Sequence, residues 1–229
     1  MRIDQLLAPV TGVAGVIALY MAFLVAPTEA QMGDVQRIFY FHVGCAWNAY
    51  LCFFIVAGAS AVYLWRGSET ADRLALAAAE VGVLFCTLLL ILGSIWARPI
   101  WGVWWTWDPR LTMSVILWGI YVGYLMLRAF GGPDEAVARY AAVLGIVGVL
   151  DIPVIRVSVR LLQGMHPSVL QQRAGTSSGL DPDMRTTMWV AVVALALLAW
   201  WLMALRMRLE QTATETAALR HRLDARKGS

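Results

Sequence analysis

Residues 74–112 read LALAAAEVGVLFCTLLLILGSIWARPIWGVWWTWDPRLT. The first part, Leu74–Trp96, is an apolar run longer than the roughly 20 residues that cross a bilayer as a helix. The second part places five of the chain's 11 tryptophans between Trp96 and Asp108. A long apolar run that ends in clustered indoles is a membrane helix emerging at a lipid–water boundary, where Trp is enriched.

Working outward, the same kind of run recurs. Apolar stretches occupy about 6–27, 38–64, 74–96, 111–130, 140–159 and 188–207. The chain is 60% hydrophobic and 14% charged, against about a quarter charged for a soluble domain. In lipid each backbone polar group must bond within its own segment, so helices are expected. The fold class is therefore all-α, a polytopic membrane protein built as a six-transmembrane-helix bundle. Residues 1–229 form a single membrane domain, with a Trp-rich loop at 96–110 and a tail at 208–229. The first run is too long for a signal-peptide core and reads as an uncleaved crossing.

Composition also excludes functions. The net charge of +3 comes from scattered residues, nearly all Arg, so no basic run tracks a nucleic acid. Cys45, Cys52 and Cys86 all fall in apolar runs. They form neither C-x-x-C nor the C-x-x-C-H of covalent c-type haem attachment, so the chain is not itself a c-type cytochrome.

With six crossings both termini share a side. That side carries 11 of the 18 Lys and Arg residues, mostly in the tail, and the other carries seven. The positive-inside rule then puts both termini in the cytoplasm and the Trp-rich loop outside.

If Trp101–Asp108 is taken as helical, Trp101, Trp104, Trp105 and Asp108 share one face and Trp107 points elsewhere. Gly102 keeps part of that surface low. The result is an aromatic shelf with a carboxylate at its edge. An interfacial belt accounts for Trp65, Trp118, Trp189, Trp200 and Trp201, but not for W-G-x-W-W-x-W-D in one loop. Asp108-Pro109 also reads as a helix start, with Asp as N-cap and Pro at the first helical position.

Of three histidines, His221 lies in the polar tail. His42, in RIFYFHVG, and His166, in QGMHPSV, fall on the side of the Trp-rich loop. Each alone is more often a hydrogen-bonded polar residue than a ligand. Together they could ligate an iron from both faces of a flat macrocycle. Zinc fits less well, because it wants four protein ligands or three plus water. Ser158 and Ser168 find no triad partners. Arg37, Arg98 and Arg110 bracket the same region and suit bidentate anion contacts, either with carboxylates of a haem-like ligand or with phospholipid headgroups or Asp108 itself. Asp151 and Pro153 interrupt the fifth run. The carboxylate is a functional candidate by its depth, with a contact to Arg156 equally open. After Leu205 the spacing of Leu209, Thr216, Leu219 and Leu223 predicts a helical extension of the sixth crossing.

Several blocks carry a family resemblance over nearly the full length. They are YFHV at 40–43 following Arg37, GSIWARPIWGVWWTWDPRLT at 93–112, DIPVIRVSV at 151–159 and LDPDMR at 180–185. The chain resembles the haem-handling proteins with a tryptophan-rich WWD signature, and most closely the cytochrome c maturation protein C, or haem exporter protein C, family. The resemblance implies non-covalent haem b at the outer face of the bacterial cytoplasmic (inner) membrane. It implies a platform from Trp96, Arg98, Trp101, Gly102, Trp104, Trp105, Trp107, Asp108 and Arg110, with Arg37 alongside, and axial ligation by His42 and His166. The implied role is transfer rather than catalysis. Haem passes to a periplasmic haem chaperone, cytochrome c maturation protein E. An ABC-type ATPase, its permease and a small single-helix subunit complete the implied complex, within membrane lipid.

The chain departs from the family pattern at Gly44, Leu161-Leu162 and Pro167, and at Pro109, where Trp-Asp-Pro is commoner in two longer relatives. Those relatives suggest a haem lyase joining haem to apocytochrome c as an alternative, and a haem-free transporter subunit is another.

Overall fold

The computed structural model describes residues 3–132, 134–161 and 180–227. Helix α1 spans Ile3–Tyr20 and runs into a wider π turn, Met21–Val25. A 3-10 turn, Asp34–Arg37, leads into α2, Ile38–Arg66. Then follow α3 (Glu69–Trp101), α4 (Pro109–Phe130), α5 (Glu135–Val149), α6 (Asp151–Leu161) and α7 (Pro182–Lys227). Among the described residues there is no strand. Six helical stretches are long and apolar enough to cross a membrane: Gln5–Val25, Asp34–Arg66, Glu69–Trp101, Pro109–Phe130, Glu135–Ser158 and Pro182–Ala217. The six-crossing helical class expected from the apolar runs is what the chain adopts.

Most helices extend past their apolar runs, because polar caps rather than hydropathy set their ends. Ser68 caps α3 by accepting from the Ala71 N–H, and Asp134 caps α5 by accepting from the Ala136 N–H. Gly67 closes α2 in the left-handed conformation at φ 65°, where a glycine carries no Cβ penalty. The sixth crossing and the tail are one helix of 46 residues, about 69 Å long at 1.5 Å per residue. That bears out the helical extension.

The fifth crossing is broken. Helix α5 stops at Val149, Leu150 forms a turn, and α6 restarts at Asp151. Pro153 explains the break: it has no N–H to bond the Val149 carbonyl four residues back, and its ring clashes there. The contact between Asp151 and Arg156 left open from sequence is not formed. Arg156 is exposed, and the Asp151 Oδ2 is buried without a hydrogen-bond partner.

Helix α2 is the axis of the bundle and packs on α3, α5 and α7. Glycines set the closest approaches, as expected where backbones must come near in lipid. A Cβ on Gly82 would lie 2.6 Å from Phe53, and one on Gly145 would lie 2.8 Å from Val56. Gly44 plays the same part against α7, since a Cβ there would meet Leu195 at 2.7 Å. Asn48 fixes this seam by donating to the carbonyls of Gly44 at 2.8 Å and Val192 at 3.1 Å. The main core includes Phe53 stacked on Tyr121 at 3.7 Å, and the Tyr121 hydroxyl donates to the Gly145 carbonyl. A second, smaller core joins Ala22 and Ala26, Phe39 and Tyr40 of α2, Trp96 of α3, and Met184 and Met188 of α7. It lies at the end of the bundle that carries the Trp-rich segment.

Candidate functional site

The Trp-rich segment is not one helix. Trp96, Arg98 and Trp101 belong to the last turns of α3, with Pro99 inside the helix. Gly102 then takes φ 75°, and its N–H bonds the Arg98 carbonyl at 3.0 Å. This left-handed cap ends the helix. Residues 103–108 are irregular, and α4 begins at Pro109. The single face expected for Trp101, Trp104, Trp105 and Asp108 is therefore absent. Gly102 serves as a helix stop.

What replaces that face is a division of labour among the indoles. Trp96 is 4% exposed and sits inside the smaller core. Trp101 and Trp105 are half-buried. Trp104 and Trp107 are 59% and 74% exposed, with Val103 also exposed between Gly102 and Trp104. Trp105 meets Trp107 edge-on, ring centres 5.7 Å apart, a favourable aromatic geometry. Exposed indoles at this level are open to a ligand, a partner protein or the lipid headgroup region.

Asp108 caps α4 as expected. Its Oδ1 accepts from the N–H groups of Arg110 and Leu111 at 2.9 and 3.0 Å, and its Oδ2 from the Thr106 hydroxyl at 3.4 Å. Pro109 fills the first helical position, where its missing N–H costs nothing.

His42 lies just over one turn into α2 and is 8% exposed. Its ring centre is 5.8 Å from that of Trp96, which in turn is 6.3 Å from Trp101. Phe39, three residues before His42 and so on the same side of the helix, meets Trp96 at 5.8 Å. A run of rings thus leads from His42 through Trp96 to the start of the exposed loop. Beneath the imidazole lies Gly93. A Cβ there would stand 2.9 Å from the His42 Cε1 and 3.4 Å from its Nδ1. Neither Gly93 nor Phe39 was singled out from sequence. The i, i+3 pairing of Phe39 with His42 was the available signal for the second. His166 lies outside the described residues.

The three arginines differ. Arg37 is tied into the protein: its guanidinium donates to the carbonyls of Ala22 and Ala26, to the Thr28 hydroxyl and to the Asp34 carboxylate. It clamps the loop after α1 onto the start of α2. Arg98 donates to the Gly102 carbonyl and reinforces the end of α3. Arg110 is half-buried in the first turn of α4. Of the three it alone has a side chain in no hydrogen bond or ion pair among the described residues.

The fit to a flat ligand rests on these facts. The imidazole is tilted at 52° against a buried indole and lies on a glycine, contacts that restrict its orientation. The indoles continuing from it end in two large exposed faces. Such an arrangement can hold a planar apolar ring and offer one nitrogen to a metal at its centre.

Comparison with known proteins identifies the family. The family model described as Heme exporter protein C matches residues 1–222. Heme exporter protein C of Bradyrhizobium diazoefficiens is 38% identical over 199 residues, 86% of this chain and 74% of that protein. Heme exporter protein C of Escherichia coli K12 is 30% identical over 205 residues, 87% of this chain and 82% of that one. A putative cytochrome c biosynthesis ccmC-like mitochondrial protein of Marchantia polymorpha is 35% identical over 162 residues, 70% of this chain and 68% of that protein. A match across nearly the whole chain places this protein in the Heme exporter protein C family.

Proposed function

We propose that this protein receives haem at the outer face of the bacterial cytoplasmic membrane and hands it on for cytochrome c maturation. The observation that carries the reading is the His42–Trp96–Trp101 row ending in the exposed Trp104 and Trp107. Haem b is the cargo, held without covalent attachment. His42 supplies one axial nitrogen and His166 the other. The indoles of the loop provide the platform, and Arg110 is the arginine of this group with a side chain available to a carboxylate. The family names of its relatives support a role in haem delivery for cytochrome c biogenesis.

The chain's own part is to orient the ring, ligate iron and exclude water from one face; no bond-forming step is required of it. Exposed indoles 104 and 107 make a rim that a periplasmic haem chaperone, cytochrome c maturation protein E, can approach. An ABC-type ATPase with its permease and a small single-helix subunit are the further partners of this reading. The excess of Lys and Arg on the side of the termini supports a cytoplasmic position for both.

The test is spectroscopic. The purified protein is loaded with haem and its visible spectrum compared with those of His42→Ala and His166→Ala. Each substitution is expected to shift the Soret band and lower haem content. An unchanged band and unchanged content in both variants would overturn the ligation.

A further inference from the structure

Helices α2 and α3 are joined only by Gly67-Ser68, so they pack side by side and antiparallel. Each brings to the seam two residues three apart, and so on one side of its helix. They are Phe39 and His42 of α2, and Gly93 and Trp96 of α3. Toward the loop, Trp96 packs on Phe39 and also meets His42, both at 5.8 Å between ring centres. One turn deeper, His42 meets Gly93.

The way the ring meets that glycine is specific. A Cβ at 93 would stand 2.9 Å from the His42 Cε1 and 3.4 Å from its Nδ1, with no other atom of the imidazole within 4 Å. Nε2 is bonded to Cε1, so it lies beyond that distance only by pointing nearly straight away from Gly93. The glycine therefore meets the Nδ1–Cε1 edge of the ring, and Nδ1 is buried. A separation of 2.9 Å is closer than a real Cβ comes, so any other residue at 93 forces the ring to move. Gly82 and Gly145 also permit close packing, but against Phe53 and Val56, which carry no nitrogen to aim.

We propose that Gly93 is a positioning residue for the axial ligand: it seats the Nδ1–Cε1 edge of His42 against α3, so that Nε2 alone faces the metal and the imidazole plane keeps one angle. This role rests on the haem reading of His42. A free histidine side chain turns about the bond to its ring and can offer either nitrogen. Ligating histidines are commonly fixed by groups beyond the ligand itself. At this seam the fit of a ring edge against a bare Cα supplies a steric restraint of that kind.

The experiment uses the full-length protein in detergent, as wild type, Gly93→Ala, His42→Gly and the double variant. Without haem, thermal unfolding closes a double-mutant cycle between positions 42 and 93. Gly93→Ala is expected to lower the midpoint when His42 is present. It should change the midpoint little in His42→Gly, because the methyl then meets vacated space. With ferric haem, imidazole titrated into His42→Gly is expected to restore the wild-type Soret band. The double variant should need several-fold more imidazole, since the methyl occupies the seat. That comparison keeps the test decisive if Gly93→Ala alone does not fold. Equal imidazole affinity in His42→Gly and the double variant overturns the seat. So does a loss of stability on Gly93→Ala that is the same with and without His42. Identical haem spectra for wild type and His42→Gly in the absence of imidazole are a different result. They remove His42 as a ligand, and with it the role of Gly93, whatever the unfolding cycle shows.

Discussion

The two ends of the bundle handle polar groups in opposite ways. At the end away from the Trp-rich loop, Arg128 grips Asp72 through two hydrogen bonds of 2.9 and 2.7 Å, joining α4 to α3. Arg206 bridges Glu80 and Glu210 at 2.6 and 2.7 Å, joining α7 to α3. Charges there are paired across helices. At the Trp-bearing end the helices are joined by rings, by Gly93 and by Arg37 binding backbone carbonyls. Among the described residues, Trp96 Nε1 and Trp105 Nε1 at that end and, deeper, Asp151 Oδ2 are buried without hydrogen-bond partners, as is Ser60 Oγ in the other half. Buried polar groups are normally satisfied. One end is thus joined by ion pairs across helices, and the other by ring contacts and backbone hydrogen bonds that leave Trp104 and Trp107 exposed.

This contrast can be broken by substitution. Arg128→Ala should have the largest effect on stability, about 3–5 kcal/mol, because it strands the Asp72 carboxylate in a largely buried site. Detergent unfolding monitored by circular dichroism reads it, while the haem spectrum of the folded fraction should match wild type. A changed spectrum would mean that the two ends are coupled. Gly93→Ala should come next. The new methyl must displace the His42 ring, and overpacking of this kind costs about 1–3 kcal/mol. It should shift the Soret band far more than an alanine at Gly58, where a Cβ meets open space. Asp108→Ala should cost about 1 kcal/mol through the lost cap. Asp108→Ser separates capping from any contact with cargo: recovered stability with normal haem content identifies a cap alone. Trp107→Ala should change stability least, within about 0.5 kcal/mol for an exposed site, while lowering haem retention. Retention equal to wild type would assign that indole to the lipid boundary.

Much of this was legible in the chain. Apolar run length alone gave the six crossings, and Asp108-Pro109 announced the start of α4. The Pro153 interruption was also readable, since proline chemistry is local. Periodicity predicts a helical face through Trp101–Asp108 with Gly102 as a low spot on it, but Gly102 ends the helix instead. A glycine after a long helix is also the residue best able to stop it, and the left-handed cap decided the matter. Sequence leaves Arg37 to a ligand carboxylate, a lipid headgroup or Asp108, yet the structure uses its guanidinium on the end of the first crossing, fifteen residues back at Ala22. Spacing along the chain could not reveal that, because the two groups meet only when the loop folds over.

Sequence by itself determined the class of this protein, its crossings, its caps and the chemical types gathered at one end. These follow from hydropathy and from dihedral preferences that each residue carries wherever it is placed. Tertiary structure alone decided which rings touch and which charges are paired. It set His42 against Trp96 over Gly93, buried Trp96 while exposing Trp107, and paired Arg128 of α4 with Asp72 of α3. Those outcomes depend on how α2, α3, α4 and α6 approach one another. That approach is set by glycines and side-chain volumes acting across helices distant in the chain.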